Sequence, residues 1–304
     1  MPLFSLRQNK LEKIKEVPFK NEKEIQNFTE RSLKDIFGLE FVKSELELHD
    51  LRIDMLAFDN ESKSFVIIEF KRNKNFSVID QGFAYLQLLV NNKAEFILEY
   101  NQRKAKSLKK ADVEWSQSRV IFIAPQFTTF QKLAINFRDL PFELYEVTKY
   151  ENGSISFVQL KSPETSESIN MVSRSSTIIK EMTNEIKVYT EADHLLNIPD
   201  EMKEFYEELK TRILNIGDDI QVKPKKFYIA FVAATNFVDV HVQKSQLKLW
   251  FNMNKGELDD PRKMARDVSN IGHWGNGDYE IALKPSDDLD YLITLIKQSY
   301  LKNK

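Results

Sequence analysis

The 304-residue chain contains no cysteine, which excludes a disulfide framework, an iron–sulfur cluster and a thiolate zinc site. Histidine is scarce: His49, His194, His241 and His273 are the only four, and none stands in H-E-x-x-H or a comparable pair. Zinc hydrolysis and Ser-His-Asp chemistry are therefore poorly supported. Serine-nucleophile and P-loop signatures are missing too. No segment approaches the roughly 18 apolar residues of a membrane span, and the stretch from Met1 to Arg7 lacks an apolar signal core. These absences lead to the expectation of a cytoplasmic protein with no membrane partner. An excess of one charge is also lacking, since 44 basic and 46 acidic residues leave a formal net of −2. The total does not announce a polyanion partner, so local distribution carries the information.

What is present is concentrated in two short apolar segments, Leu51 to Phe58 and Phe65 to Phe70. Both are rich in β-branched and aromatic residues and read as strands, and Asp59 to Ser64 between them reads as a polar turn, which together make an antiparallel hairpin. A turn centred between Glu61 and Ser62 pairs positions whose numbers sum to 123. That register sets Asp54 opposite Glu69, with Cβ atoms about 4.5–5.5 Å apart. Side chains alternate along a strand, so Glu69 and Lys71 share a face. A charge inside so apolar a run is expensive without a purpose. Two carboxylates at this separation repel unless a cation lies between them, and hard oxygen ligands suit Mg²⁺ or Mn²⁺. Lys71 beside them supplies a group to orient water or offset charge on a phosphoryl group. The simpler alternative is a hairpin ion pair between Asp54 and Lys71, with Glu69 at a wet edge.

The D…E-x-K hairpin of Asp54, Glu69 and Lys71 resembles the PD-(D/E)XK nuclease superfamily, the restriction-endonuclease-like fold, although the first acid stands in Arg52-Ile53-Asp54 rather than in Pro-Asp. The resemblance covers roughly residues 20 to 150 and implies an α/β fold with an α-β-β-β-α-β core. Asn21 to Phe37, with Ile25, Phe28, Leu33 and Ile36 near helical spacing and Gly38 as a stop, supplies the first helix. Arg119 to Ala124 and Phe142 to Val147 read as further strands, with a helical stretch from Phe127 to Phe137 crossing between them. In this superfamily the first helix often adds an acid near the metal; Glu30 matches that place best and Glu24 is the runner-up. Beyond the hairpin, Ser77 and Asp80 are spaced as a capping box, and Gln81 and Tyr85 lie one helical turn apart. They are similar to the Q-x-x-x-Y element of the RecB-type branch, where the glutamine orients the lysine or contacts the substrate backbone.

The resemblance implies a Mg²⁺- or Mn²⁺-dependent nuclease hydrolysing phosphodiester bonds, with DNA favoured over RNA, in restriction, phage defence or repair. Asp54, Glu69 and the Phe70 carbonyl would hold the metal, and Lys71 would orient or activate water. Glu30 would assist a second metal or the water, and Gln81 and Tyr85 would brace the lysine or the scissile strand. Residues 101 to 110 hold five cations and no acids. With Arg72 and Lys74, the residues Arg103, Lys104 and Lys106 are expected to form a phosphate-contacting rim around the site. The alternatives are a non-catalytic nucleic acid binding module, or a regulatory subunit acting through the C-terminal half.

Composition places the nuclease-like domain at 1–160, a Ser/Thr/Glu-rich linker at 161–188 and a smaller α+β domain at 189–304. That last segment resembles an uncharacterised domain attached to restriction-like nuclease domains in bacteria, in proteins sometimes labelled predicted transport proteins. It is the expected place for a protein partner or a homodimer contact. A helix is expected over Pro199 to Leu214 and strands over Phe227 to Val232, Phe237 to Val242, Leu247 to Phe251 and Tyr279 to Leu283, with a final helix over Leu289 to Tyr300. Asp267 to Tyr279 carries three of the eight glycines. The simpler reading of that stretch is a tight connection; the other is that His273 and Trp274 present a stacking surface to a base or a peptide.

Overall fold

Gln8 and Asn9 take positive φ, 47° and 62°, the geometry of a tight hairpin turn. They join β1 (Leu3–Arg7) to β2 (Lys10–Ile14) in a separate two-stranded sheet, and a short β3 (Glu16–Val17) leads to the first helix. The Asn21 side chain caps that helix by accepting the Glu24 N–H at 2.9 Å. The helix expected over Asn21 to Phe37 is two helices, α1 (Glu22–Arg31) and α2 (Leu33–Phe37). The chain breaks at Ser32, at φ −121° and ψ 20°, where the backbone N–H still bonds to the Phe28 and Thr29 carbonyls. Gly38 ends α2 in the left-handed conformation at φ 69°.

The computed structural model describes residues 2–49, 51–71, 78–134, 140–161 and 185–304. Arg72, Lys74, Ser77, residues 135–137 of the expected crossing helix and residues 162–184 of the expected linker lie outside them. The chain divides into two units, Met1–Val188 and Tyr189–Lys304.

In the first unit α2 is followed by β4 (Glu40–Leu48), β5 (Leu51–Asp59), β6 (Ser64–Phe70), α3 (Val78–Asn91), α4 (Lys93–Lys104), β7 (Arg119–Ala124), α5 (Thr129–Ala134), β8 (Phe142–Tyr150) and β9 (Ile155–Leu160). The sheet order is β3-β8-β7-β6-β5-β4, with β9 paired to β8. Strands β4, β5 and β6 are antiparallel, whereas β6, β7 and β8 run parallel. The fold is thus mixed α/β and contains the succession α1-β4-β5-β6-α3-β7, the expected α-β-β-β-α-β order. Every residue of β6 is buried, because both faces of the strand are covered. Phe65 and Ile67 pack with Leu86 and Leu89 of α3, and Val66, Ile68 and Phe70 pack with Ile25 of α1. Each such side chain contributes about 1.5–3 kcal/mol on burial, which holds this strand in place against the cost of the acid it carries.

The second unit contains α6 (Glu191–His194), α7 (Asp200–Leu214), β10 (Gln221–Pro224), β11 (Ile229–Val232), β12 (Asn236–Val242), β13 (Leu247–Phe251), β14 (Arg266–Asp267), β15 (Tyr279–Leu283) and α8 (Leu289–Asn303). Its antiparallel sheet, in the order β10-β11-β12-β13-β15-β14, buries Val238, Val240 and Leu249 against Phe205 and Leu209 of α7 and Leu292 and Ile296 of α8. The unit is α+β. Among the described residues, no helix is long and apolar enough to cross a membrane.

Candidate active site

The site lies where the β5–β6 hairpin ends. The ladder pairs Asp59 with Ser64, Phe58 with Phe65, Ala57 with Val66, Leu56 with Ile67 and Met55 with Ile68, so every pair sums to 123. Asp54 stands one step beyond the last pair, and there its side chain takes over the work of a backbone acceptor. Its Oδ2 accepts the Phe70 N–H at 3.0 Å.

Glu69 is 2 % exposed and is held on both oxygens. Its Oε1 accepts from Lys71 Nζ at 2.5 Å and from Gln81 Nε2 at 2.8 Å. The Tyr85 hydroxyl lies 2.8 Å from Glu69 Oε2 and 3.0 Å from the Arg52 carbonyl oxygen. Having one proton, it serves one acceptor at a time, and the carboxylate is the stronger. Gln81 Nε2 also donates to the Tyr85 oxygen at 3.0 Å, which ties the two α3 side chains together over the acid. On the same helix Gly82 lies against the Phe142 ring of β8, where a Cβ would sit 2.6 Å away.

Lys71 pairs with Glu69, and Glu69 is buried rather than at a wet edge, so the simple alternative, with Glu69 in solvent, is not what forms. Gln81 and Tyr85 both bond to Glu69, the acid that also holds Lys71. The spacing of one helical turn put them on the right face; which group they would meet depended on the height of α3 over the strand.

Both acids resist ionisation. Burial pushes the Asp54 carboxyl above its usual range, with a smaller contribution from the charge of Glu22, against the Phe70 N–H and the Lys71 charge that favour the anion. Burial also pushes Glu69 up, and repulsion from Asp54 adds to it. The buried Tyr85 phenol, facing the Glu69 charge, is raised far above its usual range and stays protonated.

The first helix reaches this point through residues that sequence reasoning did not select. The Gln26 side chain donates to the Asp54 carbonyl oxygen at 3.0 Å, and Glu22, one turn earlier on the same face, is the α1 acid whose charge Asp54 feels. Glu30 instead accepts from Ser44 Oγ at 2.6 Å on β4, and Glu24 pairs with Lys149 at 2.6 Å. The i, i+4 spacing of 22, 26 and 30 placed all three on one stripe, but only the tertiary position of the helix decides which turn lies over the end of the hairpin.

The basic run does not rim the acids. Lys104 and Lys106 approach Glu40 at 3.5 and 3.4 Å, and Lys106 also donates to the Tyr100 hydroxyl at 3.0 Å. Glu40 pairs with Phe58, four residues up β5 from Asp54, which is about 13 Å of strand. The exposed Arg103 lies in the same last turn of α4. The cause is the direction of α4, whose last turn lies by Glu40, toward the turn of the hairpin rather than toward its open end.

The donor set fits a hard divalent cation. Asp54 and Glu69 offer carboxylate oxygens, both raised by burial and Glu69 by mutual repulsion as well. Among the described residues there is no group of three or more His, Asp or Glu placed to hold a metal. Two carboxylates, with water and a substrate phosphate completing the shell, are what Mg²⁺ usually takes.

Structures similar to parts of this chain include a repair endonuclease from Pyrococcus abyssi, at 18% identity and a TM-score of 0.22 over 40% of this chain and 45% of that one. EndoMS in complex with double-stranded DNA matches at 15% and 0.24 over 48% and 64%. SfsA from Pyrococcus furiosus with Ca²⁺ matches at 14% and 0.26 over 53% and 77%. The chain thus spans less than half of the Pyrococcus abyssi enzyme, and overlaps at these scores carry no weight for activity. Residues 191–303 match the domain of unknown function DUF5655. A Haemophilus influenzae protein described as "Uncharacterized protein" is 45% identical over 299 residues, 98% of this chain and 99% of its own length, and the chain belongs to the same full-length family as that protein.

Proposed function

We infer that the first unit is a metal-dependent nuclease of the PD-(D/E)XK kind, hydrolysing phosphodiester bonds in nucleic acid, with DNA the favoured substrate. One observation carries this reading: two carboxylates at the end of a hairpin, Glu69 buried and Asp54 half-buried, both raised above their usual range, with a lysine bonded to Glu69. Structural ion pairs are normally arranged to lower the pKa of the acid; an arrangement that raises two acids beside a lysine is suited to chemistry.

Asp54, Glu69 and the Phe70 carbonyl would hold Mg²⁺ or Mn²⁺. When bound, such an ion supplies Lewis-acid polarisation of a phosphate oxygen and of the attacking water. Gln81 and Tyr85 fix the Glu69 carboxylate in one orientation, so no reorganisation is needed as the substrate binds. The Lys71 ammonium orients the attacking water and offsets negative charge on the phosphoryl oxygens as the water oxygen bonds to phosphorus and the bond to the leaving oxygen breaks. Gln26 steadies the Asp54 main chain from the other face.

The test is cleavage of labelled single-stranded, duplex and branched DNA, and of matched RNA, in Mg²⁺, Mn²⁺ or EDTA. Wild type is compared with Lys71→Ala and Asp54→Ala. The expected result is metal-dependent cutting lost in both variants. Absence of cutting under every condition, with nucleic acid binding unaffected by either substitution, would overturn the catalytic reading and leave a binding module.

A further inference from the structure

The face of the second sheet turned away from α7 and α8 is built in two rows. Cross-strand pairing sets Lys223, Ala230, Asp239, Trp250, Glu280 and Arg266 side by side across all six strands. The connection from Val268 to Asp278 closes over this first row. Asn276 donates to Asp239 Oδ2 from its backbone N–H at 2.7 Å and from Nδ2 at 3.0 Å. Gly275 lies against the Trp250 indole, where a Cβ would come within 2.5 Å, and His273 stacks on the same ring at 6.0 Å. Glu280 is paired with Trp250 Nε1 at 2.9 Å, with Arg266 at 2.6 Å and with Lys248 at 3.6 Å. The acids of this face are thus buried and internally satisfied.

The second row is more exposed. His241 pairs with Lys248, and Lys248 with the exposed Ala282. Beside it stand Phe227 and Trp274, 38 % and 55 % exposed, stacked at 5.2 Å with 21° between their planes. His241 meets Trp274 edge-on at 5.1 Å, and Lys226 lies over the Phe227 ring at 5.3 Å. Burial, together with the charges of His194 and Lys248, holds the His241 pKa down. The ring is therefore neutral near pH 7, and with Nδ1 bonded to the Phe227 carbonyl its Nε2 is an acceptor. In the covering loop, Nδ1 of His273 is buried with no hydrogen-bond partner among the described residues.

We propose that this shelf binds an unpaired base of single-stranded nucleic acid, the base stacking on Trp274 and the neighbouring phosphates meeting Lys226 and Lys248. Charge decides for a nucleic acid over a peptide. The two carboxylates of the face, Asp239 and Glu280, are buried, Glu280 is shared by Arg266 and Lys248, and Lys226 adds a further cation over Phe227, so the face carries more positive than negative charge; an aromatic platform beside cations is the arrangement that takes bases without regard to sequence. The site is in the other unit from the acids and does not depend on the nuclease reading.

The test uses the full chain in EDTA, titrated with fluorescein-labelled dT15 and, separately, rU15, which distinguish DNA from RNA. Anisotropy reports affinity, and intrinsic fluorescence reports stacking on tryptophan. The chain has three tryptophans, and of the other two Trp250 is buried and Trp115 half-buried, so quenching on binding is expected to come from Trp274. Trp274→Phe should keep affinity within about threefold and lose the quench, whereas Trp274→Ala should lose the quench and weaken binding by roughly 5- to 150-fold. Lys226→Ala should flatten the salt dependence by about 0.7 in log K per log salt. Absence of binding, binding without quenching in wild type, or affinity unchanged in Trp274→Ala overturns the proposal.

Discussion

If the two acids repel one another in the absence of metal, removing one charge should stabilise the protein while it disables the site. Asp54→Asn is the cleanest such change, because the amide keeps the shape and still presents an oxygen to the Phe70 N–H, now held at 3.0 Å. Two unit charges about 5 Å apart at an effective dielectric of 20 repel by about 3 kcal/mol. Asp54 is only partly buried and Lys71 screens Glu69, which brings this to about 2 kcal/mol, and loss of the charge-assisted bond to Phe70 removes about 1 more. Release of Asp54 from the burial cost of its own charge returns a comparable amount, so the net gain is about 1–2 kcal/mol. For a unit of this size that raises the melting temperature by about 2–8 °C. The pH dependence has a definite sign. Both carboxyls titrate above their ordinary values in the folded state, so their contribution to stability is full below the unfolded values and is lost as pH rises through the raised ones. The gain from Asp54→Asn should therefore be largest at pH 8 and shrink as pH falls and the acids take up protons. Calorimetry in EDTA at pH 8 and pH 5 is the assay, with Mg²⁺ added in a second series. Mg²⁺ should raise the wild-type transition and leave the variant unmoved. A variant no more stable than wild type at pH 8 would show that the two charges do not oppose each other.

Tyr85→Phe removes one of the donors to a buried carboxylate and should cost about 1.5–3 kcal/mol at pH 8, with less lost at low pH where Glu69 is protonated; equal losses at both pH values in urea denaturation would contradict the assignment. Glu22→Gln should lower the Asp54 pKa, because the charge of Glu22 opposes its ionisation, whereas Glu30→Gln, which affects a residue bonded to Ser44, should leave it in place. Carboxyl NMR titration of Asp54 separates the two, and equal shifts would return Glu30 to the site.

The hairpin and its register were legible because two short apolar segments and a polar turn between them leave one pairing that buries both faces. Gln81 and Tyr85 were legible as a helical pair for the same reason of period. The strand Glu40–Leu48 was not singled out, since a bulge between Phe41 and Lys43 and the positive φ of Glu45, 52°, break its alternation. Strands β10 and β14 escaped notice for want of length: four residues ending in Pro224, and two residues at Arg266 and Asp267. What sequence could not supply was the pose of helices. Whether Glu22 or Glu30 meets Asp54, and whether the cations of α4 face the acids or Glu40, depends on rotations and directions that periodicity does not specify.

The bond from the Phe70 N–H to Asp54 has a further consequence. It is the last link of the hairpin, lying past the final backbone pair, and it is made by a group that also belongs to the site. Whatever alters that carboxylate, whether a proton, an ion or a substrate, therefore alters how firmly the end of the strand is closed. The Phe70 amide is a built-in gauge of occupancy, and its exchange with solvent deuterium should follow the state of the acids while amides deeper in the ladder, such as that of Ile67, stay indifferent.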